Sequence, residues 1–353
     1  MAAVKTDSYQ ITVSLDDVKR LLTTGRAVGK KLVPPMPSPR QVLQASRPEL
    51  SCRTEKGGRL EQEDTNIIGL QVADANGTFY EVVAVFDGHN GAQVAEFLQK
   101  ELPMYLRRHL ATVMDVTELP GALHRAFLEA HADLPEGYSY ETGSTAVVAL
   151  VSRTHIVVAS TGDSRAVLVS GGTGIELVPA HNFELPGETE RVRASGGEVF
   201  CYPLRLNGIL NMSRAIGNKE LCAYGLIPDP DVRIYERKDG DEYLVITSDG
   251  VPVEAEAMPA TAVADLVRQY TTCKDAALEL SRCKAAVDVD DNTTVIVMDL
   301  KVAEGLVATQ SELLPDDMVA VKSTAAARLT RRPSCWFRRQ PQQQTNPASS
   351  CTF

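Results

Sequence analysis

Short runs of apolar residues recur along the chain between about residue 45 and residue 303. They are five to eight residues long and rich in Val, Ile and Thr, which is typical of β-strands. Between residues 144 and 169 successive runs are separated only by turn-length gaps, which favours antiparallel hairpins over a strand–helix–strand alternation. The runs are EVVAVF, STAVVALV, HIVVAS, RAVLV, YLVITS and TTVIVMDL.

Longer segments with helical spacing lie between these groups of strands. GAQVAEFLQKEL places Val94, Phe97, Leu98 and Leu102 on one face of a helix. LPGALHRAFLEAHADL predicts a second helix, and residues 259–286 predict a pair. Strands that are grouped together, with helices outside them, indicate an α+β domain.

The two ends of the chain differ from this central part. Residues 1–45 combine the amphipathic segment SLDDVKRLL with a proline-rich stretch, and predict a leader and linker before a domain at 46–303. Residues 304–353 lose the periodicity, and their Pro, Gln, Ser and Arg content predicts a disordered tail. In this tail RRPS is similar to a kinase site and CWFRR to an acylated membrane contact, with a plain solvated tail as the alternative to both.

Charge and cysteine content restrict the class of protein. The chain has 36 Lys and Arg against 46 Asp and Glu, whereas residues 318–353 contain six basic residues and no acidic one. The strongly acidic remainder argues against nucleic-acid binding. The seven cysteines form no CxxC pair, which indicates reduced thiols in a cytoplasmic protein, or alternatively a nuclear one. We predict no secretory signal and no transmembrane segment.

Carboxylates flank several of the predicted strands. Any one of them is explained by ordinary turn chemistry, because Asp-Gly and Asp-Asn are common beside strands. If these strand ends converge, however, several negative charges meet, and they cannot all ionise without a counter-charge. Oxygen ligands without a Cys or His cluster favour a hard divalent cation such as Mg²⁺ or Mn²⁺. The carboxylates concerned are Glu63, Asp64, Asp87, Asp163, Asp249 and Asp291.

Three further residues near these carboxylates suit phosphate chemistry. Gly88 leaves its carbonyl accessible to a cation, because no Cβ stands in the way. Arg59, four residues before Glu63, has the planar fork that binds a phosphate; the alternative is a surface arginine in a glycine-rich loop. His89 follows Asp87 by two residues and could protonate a leaving alkoxide, although a lone histidine is often structural. Together these residues predict hydrolysis of a phosphate ester by an activated water.

Nine sequence blocks containing these residues occur in an order that resembles the metal-dependent serine/threonine protein phosphatases of type 2C. The resemblance covers about residues 50–302 and implies two packed antiparallel β-sheets with helices on both outer faces. The blocks are GGRLEQEDTN, VFDGHNG, TGSTAVVALV, STGDSRAVLV, ERVRASGGEV, LNMSRAIGNKEL, IPDPDV, VITSDG and DNTTVIVMDL.

The resemblance also implies a role for each candidate residue. Asp87 would bridge two metal ions, Glu63 and the Gly88 carbonyl would complete one site, and Asp249 and Asp291 would complete the other. Asp64 would hold a metal-bound water. Arg59 would bind the substrate phosphate and His89 would act as general acid. The segment at about 181–226 would form a flap beside the site, where substrate choice is commonly made.

Three positions depart from the pattern of the family. A third metal site uses two aspartates at the positions that Tyr140 and Val253 occupy here, and neither side chain can replace them. Glu141 is adjacent to the first position, but on a strand a shift of one residue turns the side chain away. Asn218 stands where an aspartate is usual. We therefore expect two ions, loss of the third, and slow turnover.

Two functions remain open at this point. The first is a monomeric phosphatase that acts on phosphorylated proteins, since the ligands of the first two ions, Arg59 and His89 are all present. The second is a pseudophosphatase that binds or presents a phosphorylated partner with little or no turnover, which the three departures favour.

Overall fold

The computed structural model describes residues 49–251, 258–283 and 291–301. The predicted leader, linker and basic tail, as well as Val253, lie outside these ranges. The strands are β1 Leu50–Glu55, β2 Thr65–Ala73, β3 Phe79–Phe86, β4 Gly88–His89, β5 Gly143–Ser144, β6 Ala146–Val151, β7 His155–Thr161, β8 Arg165–Ser170, β9 Thr173–Glu176, β10 Val199–Phe200, β11 Arg205–Leu206, β12 Ile216–Gly217, β13 Asp231–Glu236, β14 Asp241–Thr247 and β15 Thr293–Asp299. The helices are α1 Gln93–Leu110, α2 Leu119–Ala132, α3 Glu136–Ser139, α4 Glu188–Ala194, α5 Lys219–Cys222, α6 Ala260–Val267 and α7 Cys273–Arg282, with a 3-10 turn at Val116–Glu118.

Two five-stranded antiparallel sheets form the centre of the domain. The first has the order β13-β7-β6-β3-β2, and the second has the order β1-β15-β14-β8-β9. The last strand of the domain, β15, therefore lies between β1 and β14. A small third sheet, β12-β5-β4, lies beside them. Each apolar run that predicts a strand forms one. Between residues 144 and 169, β6 and β7 pair as a predicted antiparallel hairpin. The hairpin expected from the next two runs is wrong, because β8 follows β7 directly but belongs to the other sheet.

Apolar side chains divide the domain into layers. Along β3, Val82, Ala84 and Phe86 pack into a core shared with α1 and α2, whereas Val83 and Val85 point into the core between the two sheets. This alternation follows from the two-residue period of a strand, and it explains why the run EVVAVF is apolar on both faces. The outer face of the second sheet is covered by α6 and α7. The predicted α+β fold, with helices on both outer faces of two packed sheets, is confirmed.

The predicted helices are also present. The face of α1 marked by Val94, Leu98 and Leu102 is completely buried, while Phe97 is only partly buried. Residues 259–286 contain α6 and α7, with Thr272 capping α7 through a hydrogen bond from the Asp275 amide. None of the helices in the described ranges combines the length and apolar character needed to traverse a lipid bilayer.

Antiparallel register brings the ends of several strands to one edge of the first sheet. Phe86, at the end of β3, pairs with Thr65, at the start of β2. Ala146, at the start of β6, pairs with Thr161, at the end of β7. Residues that precede β2 or follow β3 and β7 therefore lie close together.

The second sheet places its corresponding strand ends beside this edge. Thr247, at the end of β14, pairs with Arg165, at the start of β8, and with Val295, near the start of β15. The three-residue link 162–164 carries the chain from β7 in the first sheet directly into β8 in the second. Because this link is so short, the two edges must adjoin, and the candidate carboxylates lie at this junction.

Candidate active site

Carboxylates from both sheets meet at the junction. Asp87 directly follows β3, Asp163 lies in the link between β7 and β8, and Asp249 follows β14 by two residues. Asp64 immediately precedes β2 and is buried, and Asp291 lies two residues before β15. The structure thus brings together residues that are more than 220 positions apart in the sequence.

The pKa values of these groups show that they interact. Burial, reinforced by the negative charges of Asp249, Asp64 and Asp163, raises the pKa of Asp87 well above its ordinary value. Burial raises the pKa of Asp163 to about 7, and the charge of Asp249 acts in the same direction. Burial also raises the pKa of Asp64 to about 6 and, together with Asp291, raises the pKa of Asp249. All four carboxyl groups are therefore difficult to ionise together without a cation.

Unsatisfied oxygens accompany this excess of negative charge. Ser248 donates a hydrogen bond to Asp64 Oδ2 at 2.9 Å, but Asp64 Oδ1 and Asp163 Oδ1 are buried and accept none within the described ranges. No three acidic, His or Cys side chains in this part of the chain already form a metal cage. The fit to a cation rests on charge and ligand type instead: buried carboxylates with spare lone pairs suit Mg²⁺ or Mn²⁺.

Glu63 and Gly88 meet through their backbones. The Glu63 amide donates a hydrogen bond to Asn292 Oδ1 at 2.7 Å, which ties this segment to the residue before β15. A Cβ on Gly88 would lie 2.5 Å from the Glu63 carbonyl oxygen. Gly88 is therefore required here for the close approach of two backbone segments.

Gly88→Ala is accordingly expected to separate these two segments. Overpacking of this kind costs about 1–3 kcal/mol of stability, and displacement of Asp87 should reduce turnover about 100-fold. Gly137→Ala is the matched control, since nothing lies within 4 Å of a Cβ at that position in α3. Thermal unfolding and steady-state hydrolysis would be measured for both variants. Equal unfolding temperatures and equal turnover of Gly88→Ala and Gly137→Ala would contradict the steric role of Gly88.

Arg59 lies at the open side of the carboxylate group. Its Nη2 donates to Asp291 Oδ2 at 2.7 Å, and the arginine side chain is 53% exposed. Arg59 is therefore close to a predicted metal ligand, and about half of its side-chain surface faces solvent. This position suits contact with a phosphate ester that approaches from outside.

His89 is held by a residue that sequence reasoning noted only as a departure. Its Nε2 lies 2.6 Å from Asn218 Oδ1, and its Nδ1 is buried without a hydrogen-bond partner in the described part of the chain. Burial lowers the pKa of His89, and the contact with Asn218 opposes this effect.

Asn218 and Asp163 were given no site role by the sequence analysis. Asp163 had been marked by its place after a strand. Asn218 had no such signal, because the strand that it follows, β12, has only two residues.

The structure corrects the interpretation of Tyr140 and Glu141. Both residues follow α3 and precede β5, so they do not lie on a strand and the alternation of strand side chains does not apply to them. Tyr140 is 60% exposed, and the Glu141 side chain is also exposed. The backbone carbonyl of Glu141 points inward instead, where it accepts hydrogen bonds from Asn90 and Asn218.

The predicted flap at 181–226 contains its own small core and a buried ion cluster. Val192, Leu206, Leu221 and other apolar residues of this segment pack together. Arg191 and Arg214 both donate to Glu188, at 2.6 and 2.9 Å. Arg214 also binds Asp231 of β13 at 3.0 Å, which anchors the segment to the first sheet.

The chain is similar to known proteins over most of its length. The family model described as protein phosphatase 2C matches residues 50–293. Protein phosphatase 2C 37 of Arabidopsis thaliana is 31% identical over 290 residues, covering 72% of this chain and 72% of the relative. Protein phosphatase 1K, mitochondrial, of Xenopus laevis is 34% identical over 262 residues, covering 71% of this chain and 67% of the relative.

Solved structures share the fold at lower identity. Serine-threonine phosphatase 2C from Toxoplasma gondii superposes with a TM-score of 0.59 at 22% identity, covering 72% of this chain and 95% of that one. A C. elegans sex-determining protein superposes with a TM-score of 0.62 at 24% identity, covering 74% and 67% respectively. The layered architecture is therefore shared with solved structures of this class.

Proposed function

Because this chain belongs to the protein phosphatase 2C family and is a serine/threonine protein phosphatase, we propose that it removes phosphate from phosphoserine and phosphothreonine with two divalent cations, Mg²⁺ or Mn²⁺. The observation that carries this mechanism is the group of interacting carboxylates at the junction of the two sheets. A hard cation is the natural counter-charge for such a group.

The proposal assigns the site residues as follows. Asp87 would contact both ions, Glu63 and the Gly88 carbonyl would hold one, and Asp249 and Asp291 would hold the other. Asp64 would fix a water through its unsatisfied Oδ1, and Asp163 supplies a further carboxylate oxygen nearby. When bound, the ions would lower the pKa of water enough for it to attack phosphorus at neutral pH.

Arg59 and His89 would act directly on the substrate. Arg59, whose side chain is about half exposed, would bind two phosphate oxygens through its guanidinium group and orient the ester for attack. His89 would give a proton to the serine or threonine oxygen as its bond to phosphorus breaks. The exposed Tyr140 and the replacement at Val253 support loss of a third ion, with slower turnover as the consequence.

The deciding experiment is hydrolysis of a phosphothreonine peptide by the purified full-length protein in Mn²⁺, Mg²⁺ or EDTA. Release of phosphate with either ion, and none in EDTA, is the expected result. Absence of turnover with both ions, from protein shown to be folded and to bind the peptide, would favour the pseudophosphatase alternative.

Arg59→Ala should raise KM for the phosphopeptide much more than it lowers kcat. Hydrogen bonds to a charged group contribute about 1.5–3 kcal/mol, so we expect roughly a 10- to 100-fold rise in KM. Arg59→Lys keeps the charge but not the planar fork, so its KM should lie between those of the wild type and Arg59→Ala. Arg53→Ala, which removes an exposed arginine of β1, is the control. An unchanged KM in Arg59→Ala would contradict phosphate binding by this residue.

We also propose that the protein acts as a monomer in the cytoplasm, with the nucleus as the alternative location. The five cysteines in the described ranges are all free thiols, which supports a reducing compartment. A location in a membrane fraction that is lost on removal of the basic tail would overturn this proposal.

A further inference from the structure

We propose that Asn218 is a positioning residue that fixes the His89 ring, with hydrogen on Nε2, so that Nδ1 is the nitrogen that gives its proton to the leaving oxygen. This inference rests on the proposed role of His89 as general acid. It goes further by assigning the reacting nitrogen and the residue that selects it.

The small sheet β12-β5-β4 sets the distance between the two side chains. His89 of β4 pairs with Gly143 of β5, and Gly143 pairs on its other edge with Gly217 of β12. Asn218 follows Gly217 directly, and its amide donates to the Thr142 carbonyl at 2.9 Å. The two side chains therefore reach toward each other across a central strand that carries no side chain between them.

Hydrogen bonding fixes which end of the Asn218 amide faces His89. Asn218 Nδ2 donates to the Glu141 carbonyl at 2.7 Å, and Asn90 Nδ2 donates to the same carbonyl at 3.2 Å. A carbonyl oxygen can only accept, so the amino end of Asn218 must point at Glu141 and Oδ1 must point at His89. The contact of 2.6 Å to Oδ1 then requires hydrogen on His89 Nε2.

Two backbone features support this arrangement. A Cβ on Gly143 would lie 1.8 Å from Asn218 Oδ1 and 2.5 Å from His89 Nε2, so only glycine permits the contact. Asn218 has φ of 44°, a left-handed conformation in which Asn is among the most favoured residues after Gly. Asn218 is also only 1% exposed, which keeps water from competing for the ring nitrogen.

Proton transfer follows from this assignment. With Nε2–H held by Asn218, Nδ1 is the ring nitrogen left for the substrate, and it is buried without a partner in the described part of the chain. The Nδ1–H bond of the imidazolium breaks, an O–H bond forms on the serine or threonine, and its P–O bond to phosphorus breaks. The ring is left neutral, with its hydrogen on Nε2.

The kinetic test uses two leaving groups and two variants. Asn218→Gly removes the side chain but tolerates the left-handed backbone, whereas Asn218→Asp keeps an oxygen that accepts from Nε2–H. On a phosphothreonine peptide, whose alkoxide needs a proton, kcat of Asn218→Gly should fall about 10- to 100-fold. On p-nitrophenyl phosphate, whose leaving group needs none, it should change less than about 3-fold. Asn218→Asp should regain most of the peptide activity.

A purely structural role predicts a different result. If Asn218→Gly loses equal activity on both substrates, or if Asn218→Asp recovers nothing on the peptide, positioning of the general acid is overturned. Thermal unfolding of each variant separates loss of folding from loss of chemistry.

A spectroscopic test needs no turnover. In ¹⁵N-histidine protein with Mg²⁺ at about pH 8, where an ordinary imidazole is neutral, the His89 signal, assigned by its absence in His89→Gln, should show hydrogen on Nε2. Asn218→Gly should give a mixture of both tautomers. A wild-type signal with hydrogen on Nδ1 overturns the inference. If the wild-type protein shows the expected tautomer but hydrolyses no phosphopeptide, the proposed function fails while the role of Asn218 in orienting the ring stands.

Discussion

Asp87→Asn should reduce metal-dependent hydrolysis of a phosphothreonine peptide by about 1000-fold or more, because loss of the ions removes several kcal/mol of transition-state stabilisation. The fold should survive. Asp87 interacts with Asp249, Asp64 and Asp163, and a neutral amide of the same size relieves the repulsion among them. In EDTA the variant should therefore unfold at the same temperature as the wild type or a few degrees higher.

Binding and chemistry can be separated in this experiment. A ligand that binds only the folded state raises the unfolding temperature, so Mg²⁺ or Mn²⁺ should stabilise the wild-type protein and should not stabilise Asp87→Asn. Asp115→Asn, which alters the cap of the 3-10 turn, is a control that should keep both turnover and metal-induced stabilisation. Full metal-induced stabilisation of Asp87→Asn would place the ions elsewhere.

Glu188→Gln should destabilise the protein by about 3–5 kcal/mol, because it leaves two arginines facing an amide inside the segment at 181–226. The Glu188 side chain is 5% exposed and accepts from both Arg191 and Arg214. A loss of this size lowers the unfolding temperature by roughly 10 °C for a domain of this length. Glu279→Gln, which breaks the exposed pair with Arg282 at the same spacing, should change stability by less than about 1 kcal/mol.

The contribution of Glu188 to the stability of the folded state should depend on pH. Burial would raise the pKa of Glu188, but the hydrogen bonds from Arg214 and Arg191 outweigh it and hold the pKa far below the ordinary value of 4.5. A carboxylate with a lowered pKa stabilises the folded state fully above that ordinary value and progressively less as the pH falls below it. The difference in the free energy of unfolding between wild type and Glu188→Gln should therefore become smaller below about pH 4.5. Chemical denaturation at several pH values would measure it. A constant difference down to pH 3 would rule out ionisation as its source.

The layers and the carboxylates could be predicted from local sequence features. Strands such as β3 and β14 are apolar on both faces and end beside an aspartate, so their type, position and terminal charge are all visible in a few consecutive residues. Convergence of these ends follows from antiparallel register once the strands are known. Asp163 was identifiable in the same way, although the roles implied by the family resemblance did not include it.

Other parts of the site depend on contacts that no local pattern encodes. Asn218 acts across a sheet of two-residue strands, which are too short to give an alternating pattern. Its orientation is set by the carbonyl of Glu141, 77 positions away. The reason for Gly143 is likewise invisible in the sequence, because the atoms that exclude a Cβ belong to His89 and Asn218.

The position of β15 has a consequence for biosynthesis. Of the strands in the described ranges this one is made last, yet it lies between β1, which is made first, and β14. Among the described strands only β15 pairs with β1, so β1 gains its partner in the sheet when β15 emerges, and Asp291 and Asn292 arrive with it. A chain that stops before residue 291 therefore lacks β15 and the contacts that Asp291 and Asn292 make with Arg59 and Glu63.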